Sequence, residues 1–183
     1  MKLHHTFIAA AMTLAALSTQ AQTVQVNPAV TNVTVGDSFS VDLQAVGFPD
    51  KIFGGGYNLS FNSSVLKLDD ITFPGNWEFL VSKGTLDGVA GTVTDVFFNT
   101  FAAPIKGDFL TSALKFTAIG AGTSAITLSE SPSFPFGNDL GEAVLVNYVG
   151  GTVNVAAVPE PGSVALMLAG LGAVGWVARR RQR

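Results

Sequence analysis

The sequence predicts an all-β domain: a sandwich of two antiparallel sheets, built from about nine short strands between Thr23 and Val155. Three observations predict it. Apolar and polar residues alternate with period two in run after run, as strands with one dry face and one wet face require. Turn signals rich in glycine and proline cut those runs into short pieces. No part of the region carries the three-to-four-residue apolar spacing of an amphipathic helix. Short alternating runs at this spacing bury their apolar sides by packing one sheet on another.

In chain order, the first clear alternation is FSVDLQAV. Phe39, Val41, Leu43 and Ala45 share one face, and Ser40, Asp42 and Gln44 share the other. Val35-Gly36-Asp37 reads as a turn before it, and Gly47-Phe48-Pro49-Asp50 as a turn after it. In GYNLSF, Tyr57, Leu59 and Phe61 alternate with Asn58 and Ser60. Pro74-Gly75-Asn76 is the next turn. GTVTDVFFNTF places Phe97 beside Phe98, which predicts cover on both faces. Lys106-Gly107-Asp108 reads as a turn into LTSALKFTA, where Leu110, Leu114 and Phe116 oppose Thr111, Lys115 and Thr117. Gly120-Ala121-Gly122 and Gly137-Asn138-Asp139 are further turns. VLVNYV and GTVNV close the domain. The longest irregular stretch, Ser129 to Glu142, has a length often given over to function or mobility.

These runs carry a resemblance. VQVNPAVTNVTVGDSFSVDLQAVGF followed by GGGYNLSFNSSVLKLDDITF is similar to the opening of cohesin-type domains. Gly36-Asp37 fits the family's turn, and Leu59 to Leu66 fits its "Leu-x-Phe/Tyr-Asp-Pro-x-Val-Leu" segment. Asn62 and Ser63 stand where that segment has Asp-Pro. LKFTAIGAGTSAITL and GNDLGEAVLVNYVGGTVNV resemble the later strands. The resemblance implies a jelly-roll β-sandwich related to carbohydrate-binding modules, with binding rather than catalysis as the default role.

Charge and composition exclude several functions. The chain has 183 residues and no cysteine. All four arginines lie at its C-terminal end, and both histidines, His4 and His5, lie near its start. Residues 22–158 hold twelve acids against five lysines, a formal charge of −7. A domain so charged repels phosphate backbones, which excludes nucleic acid as a partner. Without histidine or cysteine, His-dependent triads, Cys–His pairs and Cys/His zinc sites are excluded too. Residues 22–157 contain no GxxxxGK[ST] or GxGxxG sequence. Paired carboxylates could still cleave a glycoside. Asp69, Asp70, Glu78, Asp87, Asp95, Asp108, Glu130, Asp139 and Glu142 are the candidates, and most fall at turns or on wet faces. The expectation is a protein that is not an enzyme, with a small glycosidase as the remote alternative.

Two sets of residues are candidates for ligand contact. Asn138, Asp139 and Glu142 bring oxygen donors together around Gly141, without the twelve-residue pattern of an EF-hand. They are the first place to look for calcium, against the plainer reading of a turn; no other cofactor is expected. Trp77, Phe134 and Phe136 are the aromatic candidates for ligand contact. Trp77 has the parity of Phe79 and Val81, so it either packs in the core or offers a platform. Phe134 and Phe136, between prolines in the long loop, either plug the sandwich or present a sticky contact.

The two ends read as addresses. Residues 1–21 have a lysine, an apolar run from Phe7 to Leu17 and small residues at Thr19 and Ala21, the pattern of a secretory signal helix that is removed. That run is too short to span a bilayer. Residues 22–157 form the domain. Residues 158–183 begin VPEPG, continue with an apolar span at about 163–178, and end in Arg179, Arg180, Arg181 and Arg183. Such a span predicts a transmembrane helix, marginal in length, with its arginine end cytoplasmic. This arrangement resembles a PEP-CTERM sorting signal. The resemblance implies recognition of Pro159, Glu160 and Pro161 by exosortase, an integral-membrane protease-transpeptidase, with Arg179 to Arg181 as the stop-transfer cluster. It also implies a Gram-negative host that makes exopolysaccharide.

The expected protein is therefore exported and held transiently in the inner membrane. Exosortase then passes it to the cell surface or the extracellular matrix. Its expected partners are polysaccharide or another surface protein. The alternative is a carbohydrate-binding module with a defined glycan ligand.

Overall fold

The computed structural model describes residues 22–158 and 161–181. Their strands are β1 (Thr23–Asn27), β2 (Val30–Thr34), β3 (Ser38–Ser60), β4 (Leu66–Thr72), β5 (Leu80–Ser82), β6 (Thr85–Asp87) and β7 (Thr92–Asn99). Then come β8 (Ile105–Ala118), β9 (Gly122–Glu130), β10 (Phe136–Asn138), β11 (Ala143–Val144), β12 (Asn147–Val149) and β13 (Gly151–Ala156). One helix, α1 (Pro161–Arg181), follows. The signal segment, Pro159, Glu160 and the last two residues lie outside the described residues.

The strands form two layers joined through β3. One layer runs β4-β8-β3-β1-β12, using the first half of β3. In the other, β5 and β6 pair with β7, and β7 pairs with the second half of β3. Along the opposite edge of that half lie β9 and β10, followed by β13 and β2. Pairing is antiparallel except for β1 with β12 and β2 with β13. The all-β sandwich expected from the alternation is the fold found.

Aromatic side chains close the space between the layers. Phe61 meets Phe116 of β8 edge to face at 5.4 Å, and Trp77 lies 4.6 Å from Phe98 and 5.7 Å from Phe109. Phe48 contacts Phe109 and Phe136. One polar bridge crosses the same core: the hydroxyls of Tyr57 and Ser112 are 2.7 Å apart, both residues fully buried. Burial drives the Tyr57 phenol well above its usual range. Each of these groups satisfies the other, as buried hydroxyls must.

Several sequence expectations need correction. Gly47 to Asp50 is no turn. It is a bend inside β3, where pairing with β8 jumps from Ala45 to Phe48 and again to Ile52. Proline is tolerated there because the irregular pairing asks nothing of its missing N–H. Lys106 to Asp108 likewise lies within β8, with Gly107 at φ 84°. Thr111, assigned to the wet face, is fully buried and donates its hydroxyl to Leu43 O at 2.8 Å. The register shift between Leu43 and Gln44 inserts one residue there and flips the parity of the strand before it. Phe109 therefore packs against the core. Thirteen strands replace the expected nine because β5, β6, β10, β11 and β12 have two or three residues each, too few to show a period.

The tail also differs from expectation. The helix begins at Pro161, suited to a first helical position, and runs on through Arg179 and Arg180. Leu166, Met167, Leu168, Leu171 and Trp176 are all exposed. Among the described residues, no helix is long and apolar enough to cross a membrane. The described residues thus do not recover the transmembrane helix expected at about 163–178.

Candidate functional site

The outer face of the β7–β3–β10 region carries an open cleft. In β7, Val93, Val96 and Phe98 point into the core. Asp95 breaks the alternation between them with φ 58°, at the point where pairing with β3 jumps between Tyr57 and Leu59. Asp95, Phe97 and Asn99 are only partly buried.

A side-chain network holds the Asp95 conformation. Its N–H donates to Asn58 Oδ1 at 2.7 Å, and Asn58 Nδ2 donates to Glu130 O at 3.0 Å. Ser131 Oγ, fully buried, donates to Asp95 Oδ1 at 2.6 Å. Aspartate is one of the few side chains that tolerate this backbone region. The network ties the start of the long loop to β7.

That loop then lays its aromatic residues on both sides of β3. Phe134 stacks on Phe97 with ring centres 4.2 Å apart. Phe136, 1 % exposed, turns inward against Phe48 and Phe98. Gly55 and Gly56 make this possible. A Cβ on Gly55 would sit 2.5 Å from the Phe136 ring, and one on Gly56 would sit 2.8 Å from Phe134 Cβ. Gly55 and Gly56 are a steric requirement of the two phenylalanines, and Gly54, whose Cβ would sit 2.4 Å from Phe98 O, is one of the close approach of β7.

Between these parts lies a cleft of about 200 Å³, lined by Phe53, Gly54, Gly55, Phe97, Phe98, Asn99, Phe134, Pro135 and Gly137. Asn99 Oδ1 is buried and has no hydrogen-bond partner. Aromatic rings, bare glycine backbone and one amide suit the capture of an apolar-faced group. The cleft lining contains no acid–base pair.

The residues singled out in the sequence fall in different places. Phe134 reaches the cleft, while Phe136 supports it from the core. Trp77 is 4 % exposed and donates Nε1–H to Leu110 O at 3.2 Å, so it is core rather than platform. Its supposed partners in parity, Phe79 and Val81, are exposed because the segment is a turn followed by a three-residue strand. Asn138 Oδ1 accepts the N–H groups of Leu140 at 3.0 Å and Glu142 at 2.9 Å, and Asn138 Nδ2 donates to Glu142 Oε2 at 3.1 Å. These bonds match the turn reading and engage Asn138 Oδ1 and Glu142 Oε2. Among the described residues, no group of three or more acids could hold a metal ion.

Glu78, Asp69 and Asp70 are committed as well. Glu78 Oε1 accepts the N–H groups of Phe101 at 3.0 Å and Ala102 at 2.9 Å. With the Thr100 hydroxyl as the largest contributor, these bonds bring its pKa down to about 2. Asp69 pairs with Lys67 at 3.1 Å and accepts the Thr117 hydroxyl; Asp70 pairs with Lys83. Thr117 first, then Lys67, holds Asp69 below the usual carboxylate range, and Lys83 does the same for Asp70. A second cleft, about 210 Å³, lies beside them and includes Leu86 and Val93.

Within the tail, Pro161 opens α1 and Arg181 ends it. The Arg180 guanidinium sits 4.3 Å over the Trp176 ring, a cation–π contact. Sequence reasoning overlooked the role of Gly54 to Gly56, Phe97 and Asn99. The one signal present was the triple glycine itself, which in a strand marks close approach of another group.

Comparison with known proteins bears on both parts of the chain. Residues 157–182 match the PEP-CTERM protein-sorting motif. No curated protein is similar enough in sequence to match the chain. The domain is similar in structure to the cohesin module of a family 33 glycoside hydrolase from Clostridium perfringens. That match has TM-score 0.63 and 15% identity, over 75% of this chain and 98% of that one. A non-cellulosomal cohesin from Archaeoglobus fulgidus matches at TM-score 0.61 and 17% identity, over 80% and 97% of the two chains. A type I cohesin–dockerin complex from Clostridium thermocellum matches at TM-score 0.61 and 13% identity, over 74% and 99%. The chain thus carries a PEP-CTERM protein-sorting motif at residues 157–182, behind a domain with the fold of a cohesin.

Proposed function

We propose that this protein is an exported, non-enzymatic binding module that exosortase delivers to the cell surface or extracellular matrix. The observation that carries the proposal is the sorting motif at residues 157–182. In this reading α1 lies in the inner membrane before processing, with its arginine end in the cytoplasm. Apolar residues on every side of α1 support that placement, since such a helix needs an apolar surround. Cleavage falls near Pro159-Glu160-Pro161, and the domain is released from its anchor.

The domain then binds another surface protein or polysaccharide. Its fold supports a binding role, because one structural relative is a cohesin seen in complex with a dockerin. Commitment of Glu78, Asp69 and Asp70 to caps and ion pairs argues against a glycosidase built on them. Association with exopolysaccharide or biofilm is part of the proposal.

Intact-mass measurement of the protein from producing cells and medium tests the sorting. The expected result is loss of the hydrophobic span, with added mass at the new C-terminus. Full-length protein confined to the membrane would refute processing. A second reading, a glycan-binding module, is favoured by the Phe97–Phe134 stack beside the open cleft. Glycan-array binding lost in Phe134→Ala would support it; an array blank for the unaltered protein would remove it.

A further inference from the structure

The place where the tail leaves the domain constrains how the domain stands. β13 ends at Ala156 and α1 begins at Pro161. Even fully extended, the connection spans no more than ~18 Å. With α1 in a bilayer, the end of the sandwich around Ala156 is therefore held at the membrane surface.

Backbone pairing identifies that end. Ala156 lies beside Thr34, and its carbonyl accepts the Val35 N–H at 3.0 Å. Val155 pairs with Gly122. The Ile119 N–H donates to Val65 O at 2.8 Å, and Ser63 Oγ donates to Val89 O at 2.7 Å. The turns at residues 35–37, 62–65, 87–91 and 119–122 thus form one contiguous tip.

Its chemistry differs from that of the opposite tip. Val89 is 91% exposed, and Ile119 and Ala121 are exposed as well. Its acids are Asp37 and Asp87, and both cap backbone. Asp37 accepts the Thr34 N–H at 2.8 Å, and Asp87 accepts those of Val89 and Ala90. The opposite tip gathers Asp50, Lys51, Lys106, Asp108, Asp139 and Glu142 around the β3 bend and the β10–β11 turn. Contact with a lipid surface costs each charged side chain part of its hydration, and this tip presents two such side chains against six at the opposite one.

We propose that the tip formed by residues 35–37, 62–65, 87–91 and 119–122 rests on the lipid surface while the tail is inserted. Val89 and Ile119 make the contact. The domain stands end-on, and its charged tip faces away from the membrane. This rests on the membrane placement of α1 proposed above.

The cysteine-free chain allows single labels. The full chain is reconstituted into vesicles of phosphatidylcholine and phosphatidylglycerol carrying a headgroup-quenching lipid. Environment-sensitive fluorophores are placed singly through Val89→Cys, Ile119→Cys, Leu140→Cys and Leu145→Cys. Strong quenching is expected at 89 and 119, and little at 140 and 145. The latter two lie roughly one strand length, ~30 Å, farther off. Equal quenching at all four positions, or stronger quenching at 140 and 145, overturns the inference. Combining Val89→Asp with Ile119→Asp should reduce quenching of a label at Ala121→Cys at least twofold; unchanged quenching overturns the contact. Flotation separates the two proposals. A chain that does not float with the vesicles removes the membrane placement, and this inference with it. A chain that floats with its 89 and 119 labels unquenched removes this inference alone.

Discussion

The domain and the tail helix place the same kinds of residue in opposite environments. In the domain, Leu43, Leu66, Leu114, Phe98 and Phe136 are essentially inaccessible. In α1, Leu166, Leu168 and Leu171 are 61–75% exposed, although the helix is at least as apolar. The domain brings its own partner surface, because period-two strands have two faces and a second layer covers the apolar one. A helix apolar all round has no wet face to turn outward, and among the described residues nothing covers Leu166, Leu168 and Leu171. The domain covers its own apolar side chains, whereas the described part of the helix leaves them open.

That contrast can be tested by mutation, beginning with the largest expected effect. Phe136→Ala removes a ring wedged between Phe48, Phe98 and Gly55. It should cost about 3–5 kcal/mol in urea unfolding. Leu171→Asp should leave unfolding of the domain unchanged but weaken vesicle partition of the full chain by about 100-fold, from a centre-of-span cost of roughly 3 kcal/mol. If Leu171→Asp lowered domain stability instead, the tail would be packed on the domain and the comparison would break.

Gly55→Ala forces a Cβ into the Phe136 ring and should cost about 1–3 kcal/mol. Gly170 and Gly172 in the helix have open space around them. The same substitution there should raise helix content slightly by circular dichroism. Tyr57→Phe leaves Ser112 Oγ without its buried partner, at about 1–2 kcal/mol.

The smallest expected effect is a loss of stability in acid. Glu78 has its pKa lowered from an ordinary 4.5 to about 2, so the folded state favours its charged form. Its contribution is complete above pH 4.5 and fades as pH falls from there toward 2. Unfolding midpoints measured across that window should decline less in Glu78→Gln than in the unaltered protein.

Much of this architecture was legible in local patterns. The faces of Val41, Leu43, Ala45, Tyr57, Leu59 and Phe61 followed from alternation alone, and the turns at Gly36, Gly75 and Gly120 from residue type. Of the adjacent pair expected to be covered on both sides, Phe98 is buried and Phe97 is covered in part, by Phe134. Where alternation failed, a bulge had intervened. At Thr111 and Asp95 one inserted residue reverses the parity, and nothing in the residues themselves announces it. Pro49 misled for a related reason, since its bend is carried within one long strand. The candidate site was harder still. Phe134 stood out because of its loop, but Phe97, Asn99 and the three glycines meet it only after β3, β7 and the loop converge.

Sequence by itself settled the class of the domain, its negative charge, its lack of histidine or cysteine chemistry, and the sorting motif. Each is a property of composition or of residues close together in the chain. The tertiary structure alone decided that Trp77 is core, that Asn138 serves its own turn, and that Gly55 and Gly56 seat two phenylalanines. It also decided which turns surround the tail exit. These depend on pairings between residues far apart in the chain, such as Ala156 with Thr34 and Tyr57 with Ser112. Such partners are chosen by the packing of whole layers, which no local pattern encodes.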